Sequence, residues 1–336
     1  MKKWIQHVLL AAAAPALMAW SGVGHAEEVR ARTFKFAYVQ PKDSHMGHGV
    51  ERFAELVAEK SGGKMKVRGY PGGSLGGDLQ TVSALQGGTV ELTTLPPGLL
   101  VGMDKQFGIF DLPFLFDNAA QADAVLDGPA GQTMMQRLPK GLIGLAYWDH
   151  GFRNVSNSRH PIASADDFNG LKLRSLQAPL MIDTFNALGA NAIAMSFTEL
   201  FTAMETRAVD GQDNPIVAFE TNNFGEVQKH LSHTRHVYNP LVVLMSERAW
   251  DRLNDAERTI LRQAAEETRA EQRKVSREME VQAIERLQRQ GVVVTDITPE
   301  ARAGMRDKVQ AVTDKYVREL DPQLVATFKT AIAGAN

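Results

Sequence analysis

From Asp255 to Gln290 the chain contains neither glycine nor proline. Within that run Leu261, Ala265, Thr268, Gln272, Val275, Met279, Ala283 and Leu287 recur at steps of three or four. The pattern predicts one unbroken helix of about 50 Å, at 1.5 Å per residue, with a single buried stripe. Such a helix exceeds a small domain, so it is expected to run across two. The Arg and Glu residues between the stripe positions read as a solvated face.

The rest of the chain alternates short strands with helices. "FKFAYV" (Phe34 to Val39), "MKVRGY" (Met65 to Tyr70) and "VELTTL" (Val90 to Leu95) read as strands, separated by "HGVERFAELVAEKSGG" and "LQTVSALQGG" at helical spacing. The alternation resumes with the strands "GLIGLAYWD", "LKLRSL", "NAIAMS" and "PLVVLMS", the helices "LMIDTFNALGA" and "FTELFTAMETRA", and a strand end at "VDGQDNP". After the long helix come a strand, "VVVTDI", and two helices with N-caps near Thr298 and Asp321. Strands alternating with helices predict βαβ units and mainly parallel pairing. The expected architecture is α/β, with two lobes and several crossings between them.

The first residues stand apart. A basic start, the apolar run "VLLAAAAPALMAW" and the small residues of "SGVGHA" have the order of a secretory signal peptide, with cleavage expected near Ala26. The mature chain is then expected in the periplasm. It has no cysteine, which excludes disulfides and thiol chemistry. A formal net charge of −2 with no clustered basic face excludes a nucleic-acid footprint.

Local motifs for chemistry fail one by one. "PGGSLGGD" sits between a strand and a helix but lacks Gly-Lys-Ser/Thr and the G-x-G-x-x-G spacing, so it reads as a tight turn with close backbone approach. "HMGH" and "HLSHTRH" have histidines that one helix face could turn toward a metal, but there is no HExxH and no cysteine, so no metal is expected. The letters G-x-S-x-G occur at Gly72 to Gly76 inside the "PGGSLGGD" turn, and no nucleophilic role is expected of Ser74.

What remains is a set of polar residues at apolar strand ends: Arg153 and Asn154 in "GFRN", Arg174 in "LKLRSL", Phe197 in "FTEL", and Asp213 and Asn214 before Pro215. Ligands of open α/β sheets bind at the carboxyl ends of strands. The planar donor fork of arginine matches a carboxylate. Each arginine either takes such a ligand, reaches solvent, or pairs with a structural aspartate.

The segments "GFRNVSNS", "DFNGLKLRSLQAP", "ALGANAIAMSFTELFTAMETRAVDGQDNP" and "HLSHTRHVYNPLVVLMS" closely resemble the DctP-type solute-binding proteins of tripartite ATP-independent periplasmic (TRAP) transporters. The resemblance covers essentially the whole mature chain. It implies a two-lobed periplasmic-binding-protein-like fold, each lobe a mostly parallel sheet flanked by helices, with the long helix spanning both. The lobes are expected at 27–150 with about 240–280, and at 151–239 with about 281–336. The resemblance further implies that Arg174 makes the main salt bridge to a ligand carboxylate. Asn214 also reaches the ligand, Arg153 adds a second polar contact, and Phe197 packs on the ligand body. His150, Gln177, Asp213 and Asn239 complete the ligand-binding set. Met195 and the loop Pro96 to Leu100 are further candidates for shaping the pocket. Many relatives carry Glu in place of Asp213 and Asn in place of His150. The implied ligand is a small organic acid, a C4-dicarboxylate or a sugar acid such as a uronate or aldonate. The implied partners are the small and large TRAP membrane subunits, with no cofactor and no nucleic acid. Rival readings are an exported enzyme acting on sugar acids and a binding protein feeding a sensor kinase.

Overall fold

The computed structural model describes residues 28–335; the expected signal peptide lies outside them. The strands are β1 (Arg32–Ala37), β2 (Met65–Tyr70), β3 (Leu92–Leu95), β4 (Leu142–Asn157), β5 (Lys172–Ser175), β6 (Asn191–Ala194), β7 (Gly211–Pro215), β8 (His230–Ser246) and β9 (Val293–Thr295). The α-helices are α1 (His45–Lys60), α2 (Asp78–Gly87), α3 (Ala119–Asp127), α4 (Pro129–Gln136), α5 (Pro179–Leu188), α6 (Leu200–Glu205), α7 (Ile216–Thr221), α8 (Glu247–Trp250), α9 (Asp255–Arg289), α10 (Pro299–Glu319) and α11 (Pro322–Gly334).

All strands join one sheet in the order β2-β1-β3-β8-β4-β7-β5-β6, with β9 on the His230 end of β8. Each end of the sheet is a parallel triplet, β2-β1-β3 and β6-β5-β7. Between them run β4 and β8, antiparallel to each other and long enough to serve both ends. Both exceed their expected extents, which stopped at Asp149 and began at Pro240. Their missing halves carry Arg153, Asn154, Ser156 and Asn157, and His230, His233 and His236. These polar residues break the apolar run that marks a buried strand. The histidines of "HLSHTRH" therefore lie on a strand and not on a helix face.

The long helix is present as expected. Leu261, Ala264 and Ala265 pack in a core with Phe36, Phe53 and Trp148. Ala283 and Leu287 pack in another with Leu200, Phe219 and Phe224. A third, larger core covers the opposite sheet face and includes Leu85, Phe110, Phe185 and Phe328. α9 thus ties the two ends of the sheet together. The solvated face expected for its charges fails at mid-helix. Arg273 is 7% exposed and donates to Asp127 at 2.7 and 2.9 Å. Arg277 donates to Asp149 and Asp123, each at 2.7 Å. Carboxylates from α3 and β4 meet these arginines, and linear spacing cannot reveal that.

The two C-terminal helices pack on different elements. α10 packs on α5, but α11 packs on α3 and α4. The rings of Phe328 and Phe110 stand 5.9 Å apart. The last helix therefore returns to elements assigned to the first lobe.

Midway along β4 the pairing with β8 slips between Asp149 and Phe152. Gly151 sits there at φ +100°, a conformation that costs a side-chain-bearing residue. Asp149 lies opposite Pro240, which has no N–H to donate. Gln272 of α9 fills the gap, accepting from the Asp149 N–H and donating to its C=O, both at 2.8 Å. Gln272→Leu keeps the bulk and strands both groups. It is expected to lower stability by about 2–4 kcal/mol, read as a shifted urea midpoint at constant m-value. An unchanged midpoint would refute the role of this amide.

Candidate functional site

Arg174 stands at the carboxyl end of β5, between β6 and β7. It is 1% exposed. Nε and Nη2 both donate to the Met195 carbonyl, at 3.0 and 2.7 Å, which locks one edge of the guanidinium. Nη1 is buried without a partner. The Phe197 ring centroid lies 6.0 Å from the guanidinium carbon. The ring is half-buried and packs on Phe224 at 5.8 Å. Burial, aided by the nearby Arg153 charge, lowers the Arg174 pKa to about 10, so the group stays cationic at neutral pH. The result is a charged donor edge, fixed in direction and desolvated.

Registry sorts the other candidates onto two faces. Residues directly opposite in a ladder share a face, and neighbours along a strand alternate. Arg174 pairs with Gln212, and Asn214 with Asn154, on one face. There Asn214 donates to Gln212 Oε1, and Gln212 Nε2 donates to Ser156 Oγ at 2.9 Å. Arg153 and Asp213 fall on the other face, and they pair with each other. Arg153 Nε donates to the Asp213 carboxylate and Nη2 to the Asp213 carbonyl, while Nη1 reaches Asn239 Oδ1 at 3.0 Å. Both partners are 0% exposed. His236 Nε2 approaches the same carboxylate at 3.3 Å. Burial pushes the Asp213 carboxyl upward, but the Arg153 charge and the His236 hydrogen bond outweigh it and hold it well below the usual range. Arg153 is therefore mostly committed within the protein, whereas Arg174 is not. Asn239 keeps Nδ2 unpartnered and buried.

His150 is buried, and its Nδ1 meets His45 Nε2 at 2.7 Å, with the rings stacked 4.8 Å apart. Burial lowers both pKa values, that of His45 to about 3, so the pair is neutral. Gln177 departs from the set: it is exposed and lines a surface groove with Leu79, Met103 and Tyr316.

Sequence reasoning missed three residues from the other end of the sheet. Asp78, at the start of α2, is partly accessible, yet its carboxyl is desolvated enough to rise to about 7 despite the opposing pull of Arg174. Asp111 is 1% exposed with both carboxylate oxygens unpartnered, and burial raises it to about 7 against the influence of Arg153. His45 is the third: "HMGH" offers it as a metal ligand, not as the partner of His150. All lie far from Arg174 in the chain, and no local spacing signals their tertiary partners.

The glycine-rich "PGGSLGGD" does make the close approach expected of it. A Cβ on Gly77 would stand 2.8 Å from Ser196 Oγ, and one on Gly73 2.6 Å from the Thr198 methyl. Asn222 also donates to Gln40 Oε1 at 2.6 Å. Elements from the two ends of the sheet thus touch here. Among the described residues no group of three His, Asp or Glu side chains has the geometry to hold a metal ion.

Comparison with known proteins gives concordant matches. Residues 36–320 match the family DctP, bacterial extracellular solute-binding protein, family 7. A TRAP periplasmic solute binding protein from Ochrobactrum anthropi, its C-terminus bound in the ligand-binding pocket, is 49% identical, with 91% of this chain and 96% of that one covered and a TM-score of 0.81. The sugar acid binding protein DctPAm from Advenella mimigardefordensis, solved with galactonate, is 42% identical, with 92% and 100% covered and a TM-score of 0.90. The 2,3-diketo-L-gulonate-binding periplasmic protein YiaO of Escherichia coli is 34% identical over 86% of this chain and 88% of its own.

Proposed function

The chain belongs to the DctP family of bacterial extracellular solute-binding proteins, and from that premise we propose that it captures a sugar acid by its carboxylate for TRAP-coupled import. Members of this family bind small organic acids and work with TRAP membrane subunits. Among the described residues no helix is long and apolar enough to cross a membrane. The observation that carries the reading is the buried, unpartnered Nη1 edge of Arg174 beside Phe197. A desolvated guanidinium held on one edge presents parallel donors to a carboxylate. Phe197 supplies an apolar wall, and Asn214, Asn239 and the neutral His45–His150 pair supply uncharged hydrogen-bonding groups. Galactonate and diketogulonate, bound by two of the relatives, are both carboxylates with oxygenated chains.

The cleft closes between a lobe of 27–150 with about 240–280 and α11, and a lobe of 151–239 with about 281–320. The closed form binds the acid better, and that difference drives closure. The leader is removed near Ala26, and the closed protein docks in the periplasm on the small and large membrane subunits. No step needs a cofactor, and the acid is released unchanged.

A thermal-shift screen against C4-dicarboxylates, uronates and aldonates tests the ligand class, since binding raises the midpoint by mass action. At least one sugar acid is expected to raise it. Conversion of that acid to product during incubation would overturn the reading in favour of an enzyme.

Closure has its own test. Gly77 has extended backbone (φ −72°, ψ 176°) that valine tolerates, but its Cβ would collide with Ser196 only when the lobes meet. Gly77→Val is expected to weaken ligand binding about tenfold, the equivalent of 1.4 kcal/mol against the closed state, with unfolding of the ligand-free protein little changed. Equal affinity in calorimetry would refute the contact.

A further inference from the structure

We propose that Gln212, Ser156 and Gln228 are positioning residues, a buried relay of hydrogen bonds that fixes which way the Asn214 amide faces. The inference rests on the proposed reading of Arg174 and Asn214 as ligand contacts. The ladders place the relay beside the anchor. Arg174 of β5 stands opposite Gln212 of β7, and Gln212 stands opposite Ser156 of β4. Asn214 lies two residues beyond Gln212, on the same face. Its cross-strand partner, Asn154, is spent on the main chain. Asn154 Nδ2 donates to the Phe152 carbonyl at 2.9 Å, and Oδ1 accepts from the Arg235 N–H at 3.1 Å. Asn214 instead donates from Nδ2 to Gln212 Oε1.

The direction of the relay is set at its far end. Gln228 Nε2 donates to the backbone carbonyls of Val227 and Asp210, at 3.1 and 3.3 Å. Those oxygens only accept, so Gln228 turns its own Oε1 the other way. That oxygen accepts from Ser156 Oγ at 3.3 Å, which commits the hydroxyl hydrogen. Ser156 Oγ is then left to accept, and takes a hydrogen of Gln212 Nε2 at 2.9 Å. Gln212 Oε1 in turn takes a hydrogen of Asn214 Nδ2. A flipped Asn214 would press Oδ1 against Gln212 Oε1, two acceptors with no hydrogen between them. Asn214 and the three relay side chains are at most 2% exposed, so bulk water cannot repair that mismatch. Asn214 thus keeps one amide hydrogen and Oδ1 in fixed places for a bound molecule. A group held in advance spares part of the ordering cost of binding.

The test is calorimetry with galactonate, D-erythronate and succinate, read on the acid that binds the wild type most tightly. Ser156→Ala cuts the relay at its middle without adding bulk, and Gln228→Met cuts it one link further off. Either change is expected to weaken binding about tenfold, roughly the net worth of one hydrogen bond. In an Asn214→Ala background each is expected to change affinity less than about twofold, because the relay has nothing left to aim. A relay that only supports the fold would cost the same in both backgrounds, and that result overturns the proposal. Single variants that bind as the wild type does also overturn it. Full affinity in Asn214→Ala alone overturns it too, while leaving the Arg174 reading standing. If none of the three acids binds, the proposed function falls and this inference with it.

Discussion

Arg174→Ala is expected to weaken binding of the cognate acid several-hundred-fold or more. The guanidinium is buried, still charged at neutral pH, and held by Met195 so that its free edge faces one way. Without it, a ligand carboxylate enters the closed cleft with no cation to meet it. Leaving one member of a buried ion pair alone typically costs about 3–5 kcal/mol, and each 1.4 kcal/mol is about a tenfold change in Kd. The ligand-free protein behaves differently. Arg174 there makes only hydrogen bonds to one carbonyl and leaves a buried nitrogen unsatisfied, so its removal is expected to spare the fold. The signature is a retained unfolding midpoint with loss of the ligand-induced rise. Arg174→Lys restores the charge but not the fork, and should recover only part of the affinity. Titration calorimetry giving the alanine variant a Kd within tenfold of wild type would remove Arg174 from the site.

Arg174 stands out as a candidate in the chain because it interrupts an apolar strand within a segment that also resembles a known family. α9 was legible because glycine and proline are absent and the stripe keeps helical spacing. The caps at Thr298 and Asp321 stand as expected, since a side-chain oxygen ahead of a helix acts locally. What escaped was tertiary. β4 and β8 were cut short because their distal halves bury polar side chains that pair across strands. The partner of Arg153 was one of the alternatives left open, and strand alternation at Asp213 and Asn214 decides it. Asp78 and Asp111 approach the arginines, and His45 meets His150, only through tertiary packing. Gln177 follows Arg174 by three residues, yet the turn into α5 carries it to the surface.

The Arg153–Asp213 pair leads to the largest expected change in stability. Asp213→Ala removes the carboxylate and leaves a wholly buried guanidinium with a carbonyl and an amide for company. Breaking such a pair from one side is expected to destabilise the protein by about 3–5 kcal/mol, a large share of the roughly 5–15 kcal/mol that a native protein has. The double change Arg153→Met with Asp213→Leu removes both charges, and should recover most of the loss. The pH dependence has a definite sign. The Asp213 carboxyl is held below its ordinary value, so its contribution is present above the unfolded-state value of about 4 and is lost as pH falls toward the native one. Acid unfolding of the double variant should therefore begin at a lower pH than that of wild type. Denaturant unfolding of the single and double variants separates two roles for Arg153. If Asp213→Ala lowers affinity but costs under about 1 kcal/mol of stability, the pair belongs to the ligand. If it costs several and the double variant regains them, Arg153 is framework that holds β4, β7 and β8 in register, and Arg174 carries the carboxylate alone.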